Sequence, residues 1–223
     1  MEHKNQGNDF YKQKKYDEAR KCYVKAIEED PSNYIFYSNL AAADFEREKY
    51  EACVFACKKA IEVAIEKKSA NCQQVGKIHA RMGRAYMKIA EFKDAADCFV
   101  AAVEHHKTDD HEKLLSEAIM FIKLESDPLV EVQDSKVHGK GVFAIKDIKK
   151  GQAVCFYDGK IVDRSNLAEL VTAYQESLMD SDYWMTYPKN PNKTLYGYKT
   201  PKTVFGIGQI INDGAKPEIT MLN

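Results

Sequence analysis

Apolar and small residues recur along the first 125 residues in paired runs at helical spacing. Gly7, Phe10, Tyr16, Ala19, Tyr23 and Ala26 set the first pair, and Pro31 closes it. Ala41, Tyr50, Cys53, Cys57 and Ala60 follow in kind at an offset of 34 residues, Gly7 to Ala41. Gly83, Tyr86, Phe92, Ala95, Phe99 and Ala102 form a third set at an offset of 42, Ala41 to Gly83. The larger offset corresponds to about two extra helical turns, placed within residues 60–76. Each set predicts two antiparallel helices. The small residues allow close approach, the aromatics fill gaps between neighbouring pairs, and Pro31 ends a helix. A last helical run at about 110–125 predicts a capping helix. After Asp127 and Pro128 the helical period stops. Short runs at 130–132, 141–144 and 153–157, bounded by Gly139, Gly141, Gly151 and Gly159, predict strands. The chain therefore reads as α + β and multidomain: an all-α solenoid of three helix pairs plus a capping helix over 1–127, then a mainly-β segment over 128–223.

A period of 34 residues built from helix pairs is that of the tetratricopeptide repeat. Each pair leaves an apolar face that only a neighbouring pair covers, and the first helices of successive pairs line a concave surface. Five residues are predicted on that surface: Lys4, Asn8, Asn39, Lys77 and Arg81. Residues four apart on a helix share a face, so Lys4 points with Asn8 and Lys77 with Arg81. Asn5, Asn39 and Arg81 hold equivalent places in the three copies. A peptide ending in Asp offers two carboxylates. Arg can bond one bidentately, Lys adds a point charge, and Asn satisfies remaining lone pairs. The alternative is a generic repeat whose Lys and Arg are merely solvated. Any one such residue is common there; all five at this spacing favour a clamp.

The stretches KNQGND at 4–9, YSNLAA at 37–42, AIEV at 60–63 and GKIHARMGRAY at 76–86 resemble the chaperone-binding tetratricopeptide domains of the Hop/Sti co-chaperones. The likeness covers roughly 2–125, the lengthened second repeat included. It implies a two-carboxylate clamp at Lys4, Asn8, Asn39, Lys77 and Arg81, with Tyr11 and Glu46 as further groove positions. The implied partner is the acidic C-terminal peptide of a heat-shock chaperone, of Glu-Glu-Val-Asp type.

The string DSKVHGKGVFAIKDIKKGQAVCFYDGKIV at 134–162 resembles the start of a SET domain, the fold of most protein-lysine methyltransferases. The resemblance places Gly139, Lys140 and Gly141 in a turn against S-adenosylmethionine, where glycines admit close backbone approach. Further on, GIGQIINDGAKP at 206–217 resembles the family's second motif, with Asn212 at the cofactor's amino-acid end. Asp213 stands where that family has His. The aromatic-rich 174–198, with Trp184, reads as a variable insert. The family's later Gly-Glu-Glu-like run and channel Tyr are not found before Asn223. A shortened isoform, an incomplete gene reading and a degenerate domain stay open. The expectation is weak or absent binding of S-adenosylmethionine, no catalytic residue assigned, and no methyl transfer by this chain unless the missing part is supplied.

Composition sets a few bounds. A formal net charge of −1 argues against a nucleic-acid-binding field over the whole surface. Six Cys without a CxxC pair and without a secretory leader fit a reducing compartment, so a cytoplasmic location is expected, with the nucleus also open. Cys53 and Cys57 occupy the repeat places of Ala19 and Tyr23 and read as core, not as a metal pair. His105, His106 and His111 read as solvated, and no metal is expected. No apolar run approaches a membrane span.

Overall fold

The computed structural model describes residues 2–134, 140–155, 159–163, 165–166, 184–186 and 193–197. Seven helices come first: α1 (Glu2–Lys12), α2 (Tyr16–Glu29), α3 (Tyr34–Glu46), α4 (Tyr50–Glu66), α5 (Cys72–Lys88), α6 (Phe92–His105) and α7 (Asp109–Ser126). Five strands follow among the described residues: β1 (Val130–Asp134), β2 (Lys140–Ala144), β3 (Gly159–Asp163), β4 (Trp184–Thr186) and β5 (Lys193–Gly197). The chain divides into two compact units, Met1–Ile122 and Lys123–Asn223.

In the first unit α1 to α6 each pack on their neighbours in sequence, as a stack of repeats requires, and Phe92 of α6 stacks on Phe121 of α7. The packing unit is a small residue on the first helix against a larger one on the second. A β-carbon on Gly7 would lie 2.6 Å from Cε1 of Tyr23, and one on Gly83 2.6 Å from Cε1 of Phe99. In the middle repeat the same places hold Ala41 and Cys57, both fully buried in one cluster. A larger residue on the first helix is thus matched by a smaller one on the second, which keeps volume roughly constant.

The longer spacing between repeats two and three has a local origin. α4 has 17 residues against 14 in α2, and α5 has 17 against 13 in α3. The extra residues of α5 are secured at its start by a capping box. Oδ1 of Asn71 accepts from Gln74 N at 2.9 Å, and Oε1 of Gln74 accepts from Asn71 N at 3.1 Å.

Within each pair the first helix ends at a residue with positive φ: Lys14 (60°), Glu48 (57°) and Ala90 (63°). These are repeat-equivalent, and each turn closes with the same two backbone bonds. In the first, Lys14 N donates to Tyr11 O at 2.9 Å and Lys15 N to Phe10 O at 2.9 Å. This is the Schellman closure, made here without glycine.

Two sequence expectations are corrected. His111 is buried, not solvated. Only residues 106–108 join α6 to α7, which folds the first turn of α7 back onto the end of α6. There His111 Nδ1 lies 2.7 Å from His106 O, and His111 N donates to Thr108 Oγ1 at 3.1 Å. His105 is exposed and stacks on His79 at 5.6 Å between ring centroids. Burial, then His105, lowers the pKa of His79. Second, Ala153–Cys155 form no strand; an alternating pattern needs a partner ladder to become one.

In the second unit β1 and β2 pair antiparallel, Val130 opposite Ala144 and Asp134 opposite Lys140. β5 lies between β3 and β4, antiparallel to both, with Gly159 opposite Gly197 and Trp184 opposite Tyr196. Asp127 pairs with Lys146, which lowers the pKa of its carboxyl.

Candidate functional site

The five predicted clamp residues fall on α1, α3 and α5, the first helices of the three pairs. Their centre is tied together. Asn8 Oδ1 accepts from the Tyr23 hydroxyl at 2.9 Å and from Asn39 Nδ2 at 3.3 Å. With its oxygen so occupied, the Asn8 amide is left to present Nδ2 as donor. Tyr23 is well suited to hold it. Burial first, then the neighbouring Tyr11, raises the Tyr23 hydroxyl to about 12, so it stays a proton donor.

Arg81 is anchored beside Asn39. Its Nη1 donates to Ser38 O at 3.1 Å and to Ser38 Oγ at 3.2 Å. That fixes the guanidinium plane and leaves Nε and Nη2 to donate elsewhere. Lys4 and Lys77 stand one turn earlier on the same helices as Asn8 and Arg81. Lys4 is half-buried and Lys77 exposed, and neither is in an ion pair among the described residues. The structure thus links Asn8 with Asn39 and sets Arg81 beside them, with the two lysines flanking on their own helices.

Tyr11 and Glu46, the further predicted groove positions, are neighbours. Burial raises the Tyr11 pKa, with the Glu46 carboxylate next and the Arg81 charge opposing. Tyr16 joins them: its ring meets Tyr11 edge-on at 5.3 Å, and after burial the Glu46 charge raises its pKa too.

Sequence reasoning missed Tyr23, Ser38 and Tyr16 as supports. Tyr16 shares its repeat place with Tyr50 and Phe92, so the aromatic recurrence did mark it as packed. It missed Asp44 entirely. This carboxylate is 2% exposed and bonds Arg20 Nε at 3.0 Å and Arg47 Nη1 at 2.9 Å, while Arg47 Nε bonds Asp17 at 2.6 Å. Asp44 stands in the repeat place of Phe10 and Tyr86, where the pattern asks for an aromatic.

Of the residues assigned to the cofactor, Lys140 and Gly141 open β2, opposite Asp134 and Gln133. Gly139 and Asn212 lie outside the described residues. Among the described residues no group of three His, Cys, Asp or Glu is placed to hold a metal ion, and no helix is long and apolar enough to cross a membrane.

Comparison with known proteins agrees with the repeat. The TPR repeat family model matches residues 7–47. Stress-induced-phosphoprotein 1 of Caenorhabditis elegans is 38% identical over 114 residues, 51% of this chain and 35% of that protein. Hsp70-Hsp90 organizing protein 3 of Arabidopsis thaliana is 31% identical over 175 residues, 74% of this chain and 31% of that protein. The chain spans about a third of the length of these curated relatives. Among solved structures, the TPR2AB-domain:pHSP90 complex of yeast Sti1 aligns with a TM-score of 0.52 at 30% identity, over 56% of this chain and 48% of that one. The helical unit is accordingly a tetratricopeptide-repeat domain resembling the chaperone-binding domains of the Hop/Sti co-chaperones.

Proposed function

We propose that the helical unit binds the acidic C-terminal peptide of a heat-shock chaperone in a clamp made by Lys4, Asn8, Asn39, Lys77 and Arg81. The observation that carries the reading is the shared Asn8–Asn39 contact with Arg81 anchored beside it through Ser38. Three donors are thereby pre-oriented on adjacent helices before any ligand arrives, which lowers the ordering cost of binding. Lys4 and Lys77 supply the positive charge that two carboxylates need. The relatives support the partner class: one is named an Hsp70-Hsp90 organizing protein, and the Sti1 structure is titled as a complex with pHSP90. The chain would then act as a cytoplasmic adaptor of co-chaperone type.

The test is calorimetry with a peptide ending in Glu-Glu-Val-Asp. The expected affinity is roughly micromolar, about −7 to −9 kcal/mol. Amidating the C-terminus removes one gripped carboxylate and abolishes most binding. Equal affinity for the free and amidated peptides sinks the clamp and leaves a repeat scaffold for some other partner.

A second reading concerns 128–223. The SET-like string at 134–162, with short strands at both ends of it, favours a protein-lysine methyltransferase fold that holds S-adenosylmethionine weakly at Gly139, Lys140, Gly141 and Asn212. Titration of the whole chain with that cofactor, with Asn212→Ala as control, decides it. Binding lost with Asn212→Ala supports the reading, and binding that ignores the substitution removes Asn212 from the site.

A further inference from the structure

We propose that a basic pocket beyond the Tyr11–Glu46 end of the clamp face is a second recognition site, taking acidic residues that precede a clamped C-terminus. This inference rests on the clamp reading above. The pocket, about 400 Å3, lies between the α1–α2 and α3–α4 turns and is lined by Lys14, Lys15, Arg47 and Lys49. Two carboxylates share it, Asp17 and Glu18, in the first turn of α2. Asp17 is already paired with Arg47, which also serves Asp44. Lys14, Lys15 and Lys49 are exposed and form no ion pair among the described residues. Three lysines therefore face one uncommitted carboxylate. The start of α2 adds to the excess. Lys15 occupies the N-cap and makes no side-chain capping bond, so the first amide groups of a 14-residue helix stay available to an anion.

One residue, Tyr16, joins the pocket to the clamp face. It lines the pocket and packs edge-on against Tyr11. Glu46, at this junction, neighbours Tyr11 and Tyr16, whose pKa values its charge raises after burial, and is outnumbered by the lysines beyond it. The order of residues along α1 sets a direction: Lys4 and Asn8, then Tyr11, then the turn at Lys14. α3 runs the same way, from Asn39 to Glu46 and then Arg47. From Asn8 to Lys14 the helix advances about 9 Å, the span of roughly three extended residues. A peptide held by its terminal Asp and leaving past Tyr11 reaches the lysines about three residues upstream. Carboxylates from there to about six residues upstream fall within reach of the long lysine side chains. The site thus selects partners whose acidic character continues beyond the last four residues.

Three peptides test this by calorimetry at low salt: Glu-Glu-Val-Asp alone, and the same sequence preceded by four Asp or by four Asn. The Asp octapeptide is expected to bind the unmodified chain about three- to tenfold more tightly than the Asn octapeptide, the range for several exposed charge pairs. Lys14→Glu with Lys49→Glu brings that ratio to within about twofold, and the tetrapeptide, which presents one carboxylate to the lysines, loses less affinity than the Asp octapeptide. Unchanged helicity by circular dichroism keeps folding out of the comparison. Equal affinity of the two octapeptides for the unmodified chain overturns this inference alone, as does an Asp advantage that survives both substitutions. A chain that binds none of the three overturns the clamp and this site with it.

Discussion

Asn8 and Asn39 meet because a tyrosine from the second helix of the first repeat holds one of them. The pattern of residue types gave the helix on which each predicted clamp residue falls. It gave no information about which way an amide faces, since a hydroxyl partner fifteen residues away leaves no trace in periodicity. The supports are therefore a structural finding and the cations a sequence one. That division makes a prediction. Lys77→Ala and Arg81→Ala each weaken peptide binding by about 1.5–3 kcal/mol, the range for charge-assisted hydrogen bonds, with helicity unchanged. A variant that loses helicity together with binding shows that its side chain was packed, not presented. Gly83→Ala is the opposite kind of change. Its new β-carbon meets the Phe99 ring at 2.6 Å, so the strain acts on the stack before it acts on any ligand. His111 marks where residue-level reading failed. A histidine in a polar, charged stretch looks solvated until the three-residue connection before α7 closes over it.

The element that recurs most faithfully is the turn inside each pair. Lys14, Glu48 and Ala90 share neither charge nor size, yet all three adopt left-handed backbone. Turn geometry is thus dictated by the helices that must meet across it, and sequence reading could not see it because no glycine announces it. An L-residue in this region is strained by about 1–2 kcal/mol. Ala90→Gly relieves that, offset by the extra freedom glycine gains when unfolded, and is expected to stabilise the domain by about 0.5–1 kcal/mol. Urea denaturation checks it, and a lower midpoint for the variant contradicts the strained-turn account. The helices themselves were legible, including the lengthening near 60–76, because one face of each is buried and period 3.6 records that. The strands were less so. β1 and β2 followed from alternation, while Ala153–Cys155 had the pattern without a partner strand among the described residues.

At the scale of the molecule, a stack of repeats has no single centre, and cohesion is local to each interface. The buried cysteines give that a measurable form. Cys22 lies in α2, Cys53 and Cys57 in α4, and Cys98 in α6, each at most 7% exposed. Every repeat thus carries its own sealed thiol in its second helix. Cys72, the first residue of α5, is exposed. A maleimide added to the native protein reaches Cys72 at once, and each of the four buried repeat thiols only as often as its repeat opens. Mass spectrometry of the tagged peptides then times the unravelling repeat by repeat. Cys22, in the first repeat, which packs on one neighbouring repeat among the described residues, is expected to react ahead of Cys53 and Cys57 in the middle. One common rate for all four buried thiols would mean that the stack opens as a single block, and a graded series that it frays from its end like rope.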